Sequence, residues 1–453
     1  MSVGFVIPQT PIAVDHWRTE PKTCAKYYFC THCHADHTAG LSPSWNYPIY
    51  CSRITGELLK LKFDVKPDLI NVLEIDEPRL FLLGKETMTV TAYNANHIAG
   101  SLMFLFEGYF GTILHTGDIR LSSIIGVPLK YMGHVFDFRY KSGMLPASLL
   151  RLKGKIDLCF IDNTYADPSC LFPGREEVTA EVLQQIHNYP DHDVLIGLTD
   201  IGKEWVLERI ATEFKEKISV TADKMNHLQI CSNSDYYTCE KSRFTVVKKK
   251  NSEKLLATAQ RTNPQTILII PSAMKTCVTT LNLETKSMHF PCSDHSSYAE
   301  LTNFVAALRP RSLRPIVRRN RADVSQFRAY TQYPYVHTYT VPDSVVEFLD
   351  NMYVPNACIV KKTKPKRRRK RISSGVSYSD SPTTTKAKNA RRESVDACSS
   401  ETKEIIDLCN SDDEIIDLCS SDDDDEDPPE TFFLDLKPLK RTRTALNGYR
   451  DDL

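Results

Sequence analysis

Three histidines and one aspartate lie within six residues of this chain, in the segment HCHADH at positions 32–37. Four such side chains do not suit an apolar core, because each would need a polar partner there. Imidazole and carboxylate groups are, however, good ligands for Zn²⁺. Alternation along an extended segment places His32 and His34 on one side, and the turn that follows directs Asp36 and His37 to a second position. The segment therefore predicts a metal site for one or two zinc ions, with two ions bridged by water as the fuller arrangement.

Further candidate ligands follow apolar, strand-like runs later in the chain. They are His97 in NANHIAGS, Asp118 in LHTGDIR and His295 in CSDHSSY. Each stands where a strand meets a loop of small residues, which is where functional side chains are often placed. A single histidine of this kind is usually structural, but the three residues together complete the ligand set that the HCHADH segment begins.

The periodicity of residues 1–345 predicts a mixed α/β protein with layered sheets and helices. The runs LFLLG, TMTVTAY, SLMFLF and GTILHTGD indicate closely spaced strands. Helical periodicity appears at 175–189, 202–214 and 296–308. The runs DVLIGL and TILIIP are apolar throughout, which is typical of strands covered on both faces.

Composition supports a globular chain and leaves its partners open. The 453 residues are 41% hydrophobic and 25% charged, and they contain no apolar run long enough to span a membrane. We predict no signal peptide at the N-terminus and therefore reduced thiols among the 14 cysteines. Cys30 and Cys33 form a CxxC without a second pair, and we expect both to pack in the core. The formal net charge of zero neither supports nor excludes a nucleic-acid partner.

Residues 346–453 have the composition of a disordered tail that carries linear motifs. The basic run KKTKPKRRRKR at 361–371 predicts a nuclear localisation signal or a nucleic-acid contact. An acidic segment then contains the direct repeat EIIDLCNSDD and EIIDLCSSDD at 404–413 and 414–423. Each copy joins a short β-prone run to acidic residues and could add a strand to the edge of a partner's sheet.

The order of these motifs, with IDNT between TGD and SDHSS, resembles the metallo-β-lactamase/β-CASP nucleases. The segments IPQTPIAVDHW, FEGYFGTIL and SDHSSYAEL are similar to the DNA-processing members in particular, and the resemblance covers about residues 1–320. It implies an αββα sandwich with an inserted β-CASP α/β cap. We expect the core at 1–165, the cap at 166–285, a return to the core at 286–345 and the tail at 346–453.

The resemblance also implies roles for individual residues. Asp15 would orient ligands from behind them, and Asp118 would bridge two zinc ions. The other implied ligands are His32, His34 and His97 for the first ion and Asp36, His37 and His295 for the second. Asp162, in IDNT, would lie near the metals, so that the implied catalytic residues are Asp36, His37, Asp118 and Asp162. Thr164, Gly202 and Lys203 would correspond to the pocket that grips a 5′-phosphate in relatives.

Some positions depart from the family pattern without removing a ligand. Ile98 and Ala99 stand in the loop after His97, and Thr199 stands where a tyrosine is expected. These changes put the shape of that loop and part of the phosphate recognition in question. Val317 occupies the position where DNA-acting members carry valine and RNA-acting members carry histidine, which favours DNA.

Together, these implications predict a 5′→3′ DNA exonuclease that acts on 5′-phosphorylated ends, in crosslink repair and in telomere or chromosome-end processing. The alternatives are an RNA endonuclease of the β-CASP type and a SUMO-binding nuclear scaffold with a vestigial nuclease domain. A basic strip from Arg309 to Arg321 would either track the nucleic-acid backbone or form an ordinary solvated surface. We expect a nuclear monomer with no membrane association.

The tail resembles known partner motifs at two places. The tandem repeat resembles SUMO-interacting motifs, whose aliphatic residues here are Ile405, Ile406 and Leu408, then Ile415, Ile416 and Leu418. Residues Leu434 to Pro438 are similar to a peptide by which some relatives dock a telomere protein, although the leading aromatic residue is absent.

Overall fold

The computed structural model describes the residues 4–18, 25–121, 145–199, 201–273, 279–317 and 324–350. The predicted basic run at 361–371, both aliphatic repeats and the segment at 434–438 lie outside these described residues. No described helix combines the length and the apolar character needed to cross a bilayer.

The first sheet has five strands in the order β1-β2-β3-β4-β5. They are β1 (Phe5–Val6), β2 (Ile12–Val14), β3 (Tyr27–Phe29), β4 (Ile49–Cys51) and β5 (Ile70–Val72). β1 and β2 are antiparallel, and β2 to β5 are parallel. Helix α1 (Arg53–Phe63) begins at Ser52, whose side chain accepts from the Thr55 N–H, and it packs Leu58 and Leu59 on the outer face of this sheet.

The second sheet has six strands in the order β18-β10-β9-β8-β7-β6. They are β6 (Pro78–Leu83), β7 (Glu86–Asn94), β8 (Leu102–Gly108), β9 (Gly111–His115), β10 (Leu158–Ile161) and β18 (Ser312–Pro315). β6 to β9 form an antiparallel meander, whereas β9, β10 and β18 are parallel. β7 and β9 are each antiparallel to β8, and β10 is parallel to β9. The carboxyl ends of β7, β9 and β10 therefore lie at the same end of the second sheet.

The two sheets pack face to face over an aromatic core. The ring of Phe29 in the first sheet lies 5.0 Å from that of Phe106 and 5.3 Å from that of Phe104 in the second, measured between centroids. Helices α2 (Ala147–Leu150) and α7 (Tyr298–Leu308) cover the outer face of the second sheet. The layers therefore follow the order helix, sheet, sheet, helix, which confirms the αββα sandwich.

The third sheet has seven strands in the order β13-β12-β14-β11-β15-β17-β16. They are β11 (Asp193–Leu198), β12 (Ile218–Ser219), β13 (Tyr237–Thr238), β14 (Phe244–Lys248), β15 (Thr266–Ser272), β16 (Thr280–Asn282) and β17 (Ser287–Pro291). All neighbouring pairs are parallel except β16 with β17.

Helices cover both faces of the third sheet, which explains why β11 and β15 are apolar at almost every position. The helices are α3 (Arg175–His187), α4 (Glu204–Phe214), α5 (Ala222–Cys231) and α6 (Ser252–Thr262). The first three pack on one face and α6 packs on the other. The helical segments predicted at 175–189, 202–214 and 296–308 coincide with α3, α4 and α7 to within two residues.

The third sheet occupies most of the region that we predicted as the cap, but its last strand lies beyond the predicted end of that region. β17 runs from Ser287 to Pro291 and pairs with β15, so the sheet closes beyond the expected boundary at residue 285. The chain then forms α7, and β18 joins the second sheet beside β10. A return of the chain to the sandwich is therefore present, and it begins after Pro291.

Helix α8 (Asp343–Asp350) crosses residue 346, where we expect the disordered tail to start. Val345 is fully buried in the core between the two sheets, and Phe348 and Leu349 pack against the same core. These residues share one helical face by their i, i+3, i+4 spacing. The ammonium of Lys26 also lies 3.0 Å from the centre of the Phe348 ring.

Candidate metal centre

The HCHADH segment begins three residues after the end of β3 and folds into a hydrogen-bonded turn. The Thr38 N–H and hydroxyl both donate to the His34 carbonyl, at 3.0 Å and 2.8 Å. The indole N–H of Trp17 donates to the His37 carbonyl at 2.6 Å. His32 and His37 are buried, whereas 42% of the Asp36 side chain is exposed. The turn thus directs the histidines inward and leaves Asp36 at the surface of the site.

Four of the predicted ligands form a compact first cluster, in which one atom from each lies within 4.8 Å of the others: His32, His34, His97 and Asp118. Nδ1 of His34 lies 3.0 Å from Nε2 of both His32 and His97. Oδ2 of Asp118 lies 3.6 Å and 3.7 Å from the same two Nε2 atoms. A Zn–N distance near 2.0–2.1 Å places neighbouring atoms of a tetrahedron about 3.4 Å apart. The cluster therefore fits a tetrahedral zinc ion.

Strand ends and one glycine bring these residues together. His32, His97 and Asp118 follow the carboxyl ends of β3, β7 and β9, respectively. Gly117 has a φ of +53°, and a Cβ atom there would lie 2.9 Å from the Thr31 side chain. A larger residue would be strained and crowded at this position, so the glycine of the TGD sequence lets Asp118 approach the HCHADH segment.

A second cluster shares Asp118 with the first and contains Asp162 and His295. His37 adjoins it, since its buried Nε2 lies 3.2 Å from Oδ2 of Asp118 without meeting hydrogen-bond geometry. Nε2 of His295 is 4.0 Å from Oδ2 of Asp118, and Oδ2 of Asp36 is 3.8 Å from Nε2 of His37. The structure thus brings His37 and His295 close to Asp118, places Asp36 beside His37, and adds Asp162 to the group.

Each of the five histidines has one ring nitrogen in a hydrogen bond, to a group outside the clusters in four cases and to Asp162 of the second cluster in the case of His295. The pairs are His32 Nδ1 with Thr31 Oγ1 at 3.0 Å, His34 Nε2 with the Ile201 carbonyl at 3.2 Å, His97 Nδ1 with the Asp294 carbonyl at 2.8 Å, His37 Nδ1 with Asp15 Oδ2 at 2.7 Å, and His295 Nδ1 with Asp162 Oδ2 at 2.9 Å. Carbonyl and carboxylate oxygens only accept, and the Thr31 hydroxyl already donates to Asp15. Each ring must therefore donate at that nitrogen, which leaves the opposite nitrogen of a neutral ring free to bind a metal.

Burial and neighbouring charge divide the histidines into two groups. Burial lowers the pKa of His32, His34 and His97, so these rings are neutral at pH 7. Burial also lowers the pKa of His37 and His295, but nearby carboxylates outweigh it. Asp118 and Asp15 raise the pKa of His37 well above its ordinary value, and Asp162 and Asp118 raise that of His295 to about 9. The first cluster therefore offers neutral imidazoles, the form that binds metal.

The candidate phosphate-binding residues lie next to the clusters, and one of them is already paired. The Thr164 N–H donates to Oδ1 of Asp162 at 3.0 Å. Gly202, with a φ of +108°, and Lys203 form the turn before α4. The ammonium of buried Lys203 donates to Asp294, which raises the pKa of Lys203 against the effect of burial. Lys203 is therefore a cation held by Asp294, a carboxylate that the sequence analysis did not single out although it adjoins His295.

The positions that depart from or bear on the family pattern differ in their burial. Ile98 and Ala99 are buried in one core cluster with Ile201. Both backbone groups of Val317 pair with the side chain of Asn163, at 2.8 Å and 3.0 Å. Val317 therefore lies directly beside the IDNT sequence. Thr199 is exposed at the end of β11.

Cys30 and Cys33 are buried in the core beside α1. Burial raises the pKa of Cys30 well above its ordinary value, and Asp15 adds to this effect. The pair therefore has the burial expected of packing residues.

Comparison with known proteins agrees with this geometry. Residues 215–321 match the DNA repair metallo-beta-lactamase family. The chain is 38% identical over 355 residues to the 5′ exonuclease Apollo of Rattus norvegicus, which spans 77% of this chain and 61% of the relative. It is 38% identical to the Apollo protein of Danio rerio, over 69% of this chain and 52% of the relative, and 29% identical to the DNA cross-link repair 1A protein of Homo sapiens, over 69% and 30%.

The chain spans somewhat more than half the length of the Apollo relatives. Residues 215–321 are therefore similar to the DNA repair metallo-beta-lactamase family, which confirms the resemblance that the HxHxDH, TGD and SDHSS sequences indicate.

Proposed function

We propose that this chain is a zinc-dependent 5′→3′ DNA exonuclease that hydrolyses phosphodiester bonds from 5′-phosphorylated ends. The observation that carries the proposal is the pair of clusters that share Asp118. Each surrounding histidine is oriented by a hydrogen bond at one of its two ring nitrogens. The names of the relatives, 5′ exonuclease and DNA cross-link repair protein, support the direction of cleavage and the substrate.

The proposed ligands are His32, His34, His97 and Asp118 for one ion, and Asp118, His37, His295 and Asp36 or Asp162 for another. When bound, zinc supplies a Lewis acid for the phosphoryl oxygen and lowers the pKa of a coordinated water. Asp15 and Asp162 hold the rings of His37 and His295 in one orientation. This support would keep the opposite nitrogen of each ring directed at its metal ion, without reorganisation during the reaction.

Lys203 is suited to a terminal phosphate because it is cationic and already beside the metal ligands. Asp294 competes for the same ammonium, so a 5′-phosphate would have to replace this carboxylate as its partner. Binding of the terminal phosphate by Lys203, Gly202 and Thr164 would then place the first phosphodiester at the clusters. In the described part of the basic strip, Arg309 and Arg314 are exposed, whereas Arg311 pairs with Asp157 at 2.9 Å.

The proposal is tested by digestion of 3′-labelled single-stranded DNA with and without a 5′-phosphate, next to RNA of the same sequence. The wild type is compared with Asp118→Asn, which alters both clusters, and with Asp157→Asn, which removes a hydrogen-bonded carboxylate outside them. We expect cleavage from the 5′ end of phosphorylated DNA by wild type and Asp157→Asn, and a loss of at least about 10²-fold in Asp118→Asn.

Other patterns would replace the proposal. Internal cuts in RNA would favour the RNA endonuclease, against the valine at position 317. Internal cuts in DNA that do not need the phosphate would remove the role of Lys203. A zinc-loaded wild type that cuts neither substrate would favour the SUMO-binding scaffold with a vestigial nuclease domain.

We further propose a nuclear role in crosslink repair and in telomere or chromosome-end processing. The cross-link repair relatives and the basic run at 361–371 support a nuclear role. The tandem EIIDLC repeats support SUMO or sumoylated proteins as partners, and the segment at 434–438 supports a telomere protein. Deletion of 361–371 from a fluorescent fusion should shift the protein from the nucleus to the cytoplasm, and an unchanged distribution would contradict this signal.

A further inference from the structure

Arg120 stands two residues after the shared ligand Asp118 and is only 2% exposed. Its backbone binds the loop that leads to His97, because its N–H donates to the Ala95 carbonyl at 3.0 Å and its carbonyl accepts from the Asn96 amide at 3.0 Å. Both bonds use backbone groups, which every residue except proline can supply. The identity of the side chain must therefore serve another purpose.

The guanidinium of Arg120 binds three backbone carbonyls from two remote segments. Nη1 donates to Ser293 at 3.1 Å and to His295 at 2.8 Å, and Nη2 donates to Pro173 at 3.1 Å. Nε lies 3.6 Å from Glu300, which balances the buried charge. A buried cation is costly unless it is paired and hydrogen-bonded, so this arrangement indicates a specific role.

We propose that Arg120 is a positioning residue that fixes the backbone of His295 for the second metal cluster. The proposal rests on the proposed metal-dependent function. Asp162 orients the ring of His295 through a hydrogen bond. That hydrogen bond does not by itself fix the position of the His295 backbone. Arg120 binds the carbonyls of His295 and Ser293, and its own backbone lies two residues after Asp118. The shared ligand and the second-cluster histidine are therefore held by one short segment, 118–120.

Lysine should not replace arginine here. The planar guanidinium reaches carbonyls in different directions at once, whereas an ammonium is a compact point donor. Pro173, which precedes α3, and Ser293, which follows β17, both lie at the border of the third sheet. The same side chain therefore ties the cap region to the second metal cluster.

The test is calorimetric titration of zinc into the metal-free full chain of the wild type, Arg120→Lys and Arg120→Met. His295→Ala marks the binding event that depends on the second cluster. Arg311→Lys is the matched control, because its guanidinium also makes a 2.9 Å bond but pairs with Asp157 outside the site. Circular dichroism selects the folded variants, and Arg120→Lys retains the charge if Arg120→Met does not fold.

We expect two zinc-binding events in the wild type and in Arg311→Lys. The event that His295→Ala removes should be weakened about 10- to 100-fold in the Arg120 variants, with the other event unchanged. Unchanged affinities in a folded Arg120→Lys, or equal weakening of both events, would overturn the positioning role alone. A wild type that binds no zinc would overturn the proposed function as well.

Discussion

Asp15 combines a left-handed backbone with a buried, fully used carboxylate. Its φ is 52°, and its side chain accepts from the Thr31 N–H at 2.7 Å, the Thr31 hydroxyl at 2.6 Å and His37 Nδ1 at 2.7 Å. The last bond settles which nitrogen of His37 faces Asp118. The residue that follows β2 thus orients a proposed ligand that is 22 positions away in sequence.

We predict that Asp15→Asn weakens zinc binding about 10- to 100-fold. Asparagine tolerates the left-handed backbone, but it offers one acceptor oxygen where the three donors need two. Stability should also fall by about 1–3 kcal/mol, because a buried donor loses its partner. Competition with a zinc chelator measures the affinity.

Asp157→Asn is the control for this prediction, since Asp157 also accepts a backbone N–H, from Thr112 at 2.9 Å, and pairs with Arg311. It should lower stability without changing zinc affinity. If Asp15→Asn binds zinc as tightly as the wild type, the orienting role of Asp15 is wrong.

The residues of the two clusters could be identified from sequence because the HCHADH segment contains several of them and the TGD and SDHSS sequences extend a known order. Arg120 and Asp294 were not. Their importance comes from partners that are distant in sequence, such as the carbonyl of His295 for Arg120 and the ammonium of Lys203 for Asp294. Every residue has a backbone carbonyl, so the residue type does not show which carbonyl accepts such a hydrogen bond. This support is visible only in the folded chain.

At the scale of elements, strand periodicity predicted the sheets and local apolar pattern predicted the main helices. The boundaries depended on packing that the pattern does not show. β17 continues the third sheet past residue 285 because it pairs with β15, and α8 extends order past residue 345 because Val345 reaches the core. In both places a short segment is held by tertiary contacts with distant parts of the chain.

Helix α8 offers a matched pair of valines for a stability test. Val345 is fully buried, whereas its neighbour Val346 is 42% exposed. We predict that Val345→Ala lowers the free energy of unfolding by about 2 kcal/mol, from the lost methyl groups and the cavity that they leave.

Val346→Ala should change this free energy by less than about 0.5 kcal/mol. Urea unfolding followed by circular dichroism measures both variants. Equal effects of the two substitutions would show that α8 does not pack against the core as described. They would favour a tail that starts at residue 346.

For the whole molecule, the residues of the two clusters connect separate layers. They follow β3 of the first sheet, β7, β9 and β10 of the second, and β17 of the third. The motifs indicated which side chains meet, but they did not show that the three sheets must keep their places for the meeting to occur. Arg120 makes that dependence concrete, since it joins Asp118 to the carbonyls of Pro173 and His295.

The proposed SUMO-binding repeats add a second activity to the same chain. Ile405 and Ile415 are ten positions apart in the sequence. Fully extended, that offset spans at most about 33–36 Å. This reach is close to the diameter of about 30 Å of a small domain, so two linked SUMO modules can be engaged side by side. Matching of reach to spacing is the condition under which linked sites gain affinity without new contacts.

Two single-repeat variants test this idea. One carries alanine at Ile405, Ile406 and Leu408, and the other carries alanine at Ile415, Ile416 and Leu418. We therefore predict that the full chain binds a linked SUMO dimer at least about 10-fold more tightly than either variant does. Binding of monomeric SUMO should fall only about twofold in each variant, because one equivalent site remains, and substitution of both repeats should abolish binding. Surface plasmon resonance with immobilised SUMO measures both, and Leu434→Ala is the control for loss of an aliphatic residue elsewhere in the tail. Equal affinity of the wild type and the single-repeat variants for the dimer would show that the repeats do not act together, and no binding by the wild type would reduce them to an acidic segment.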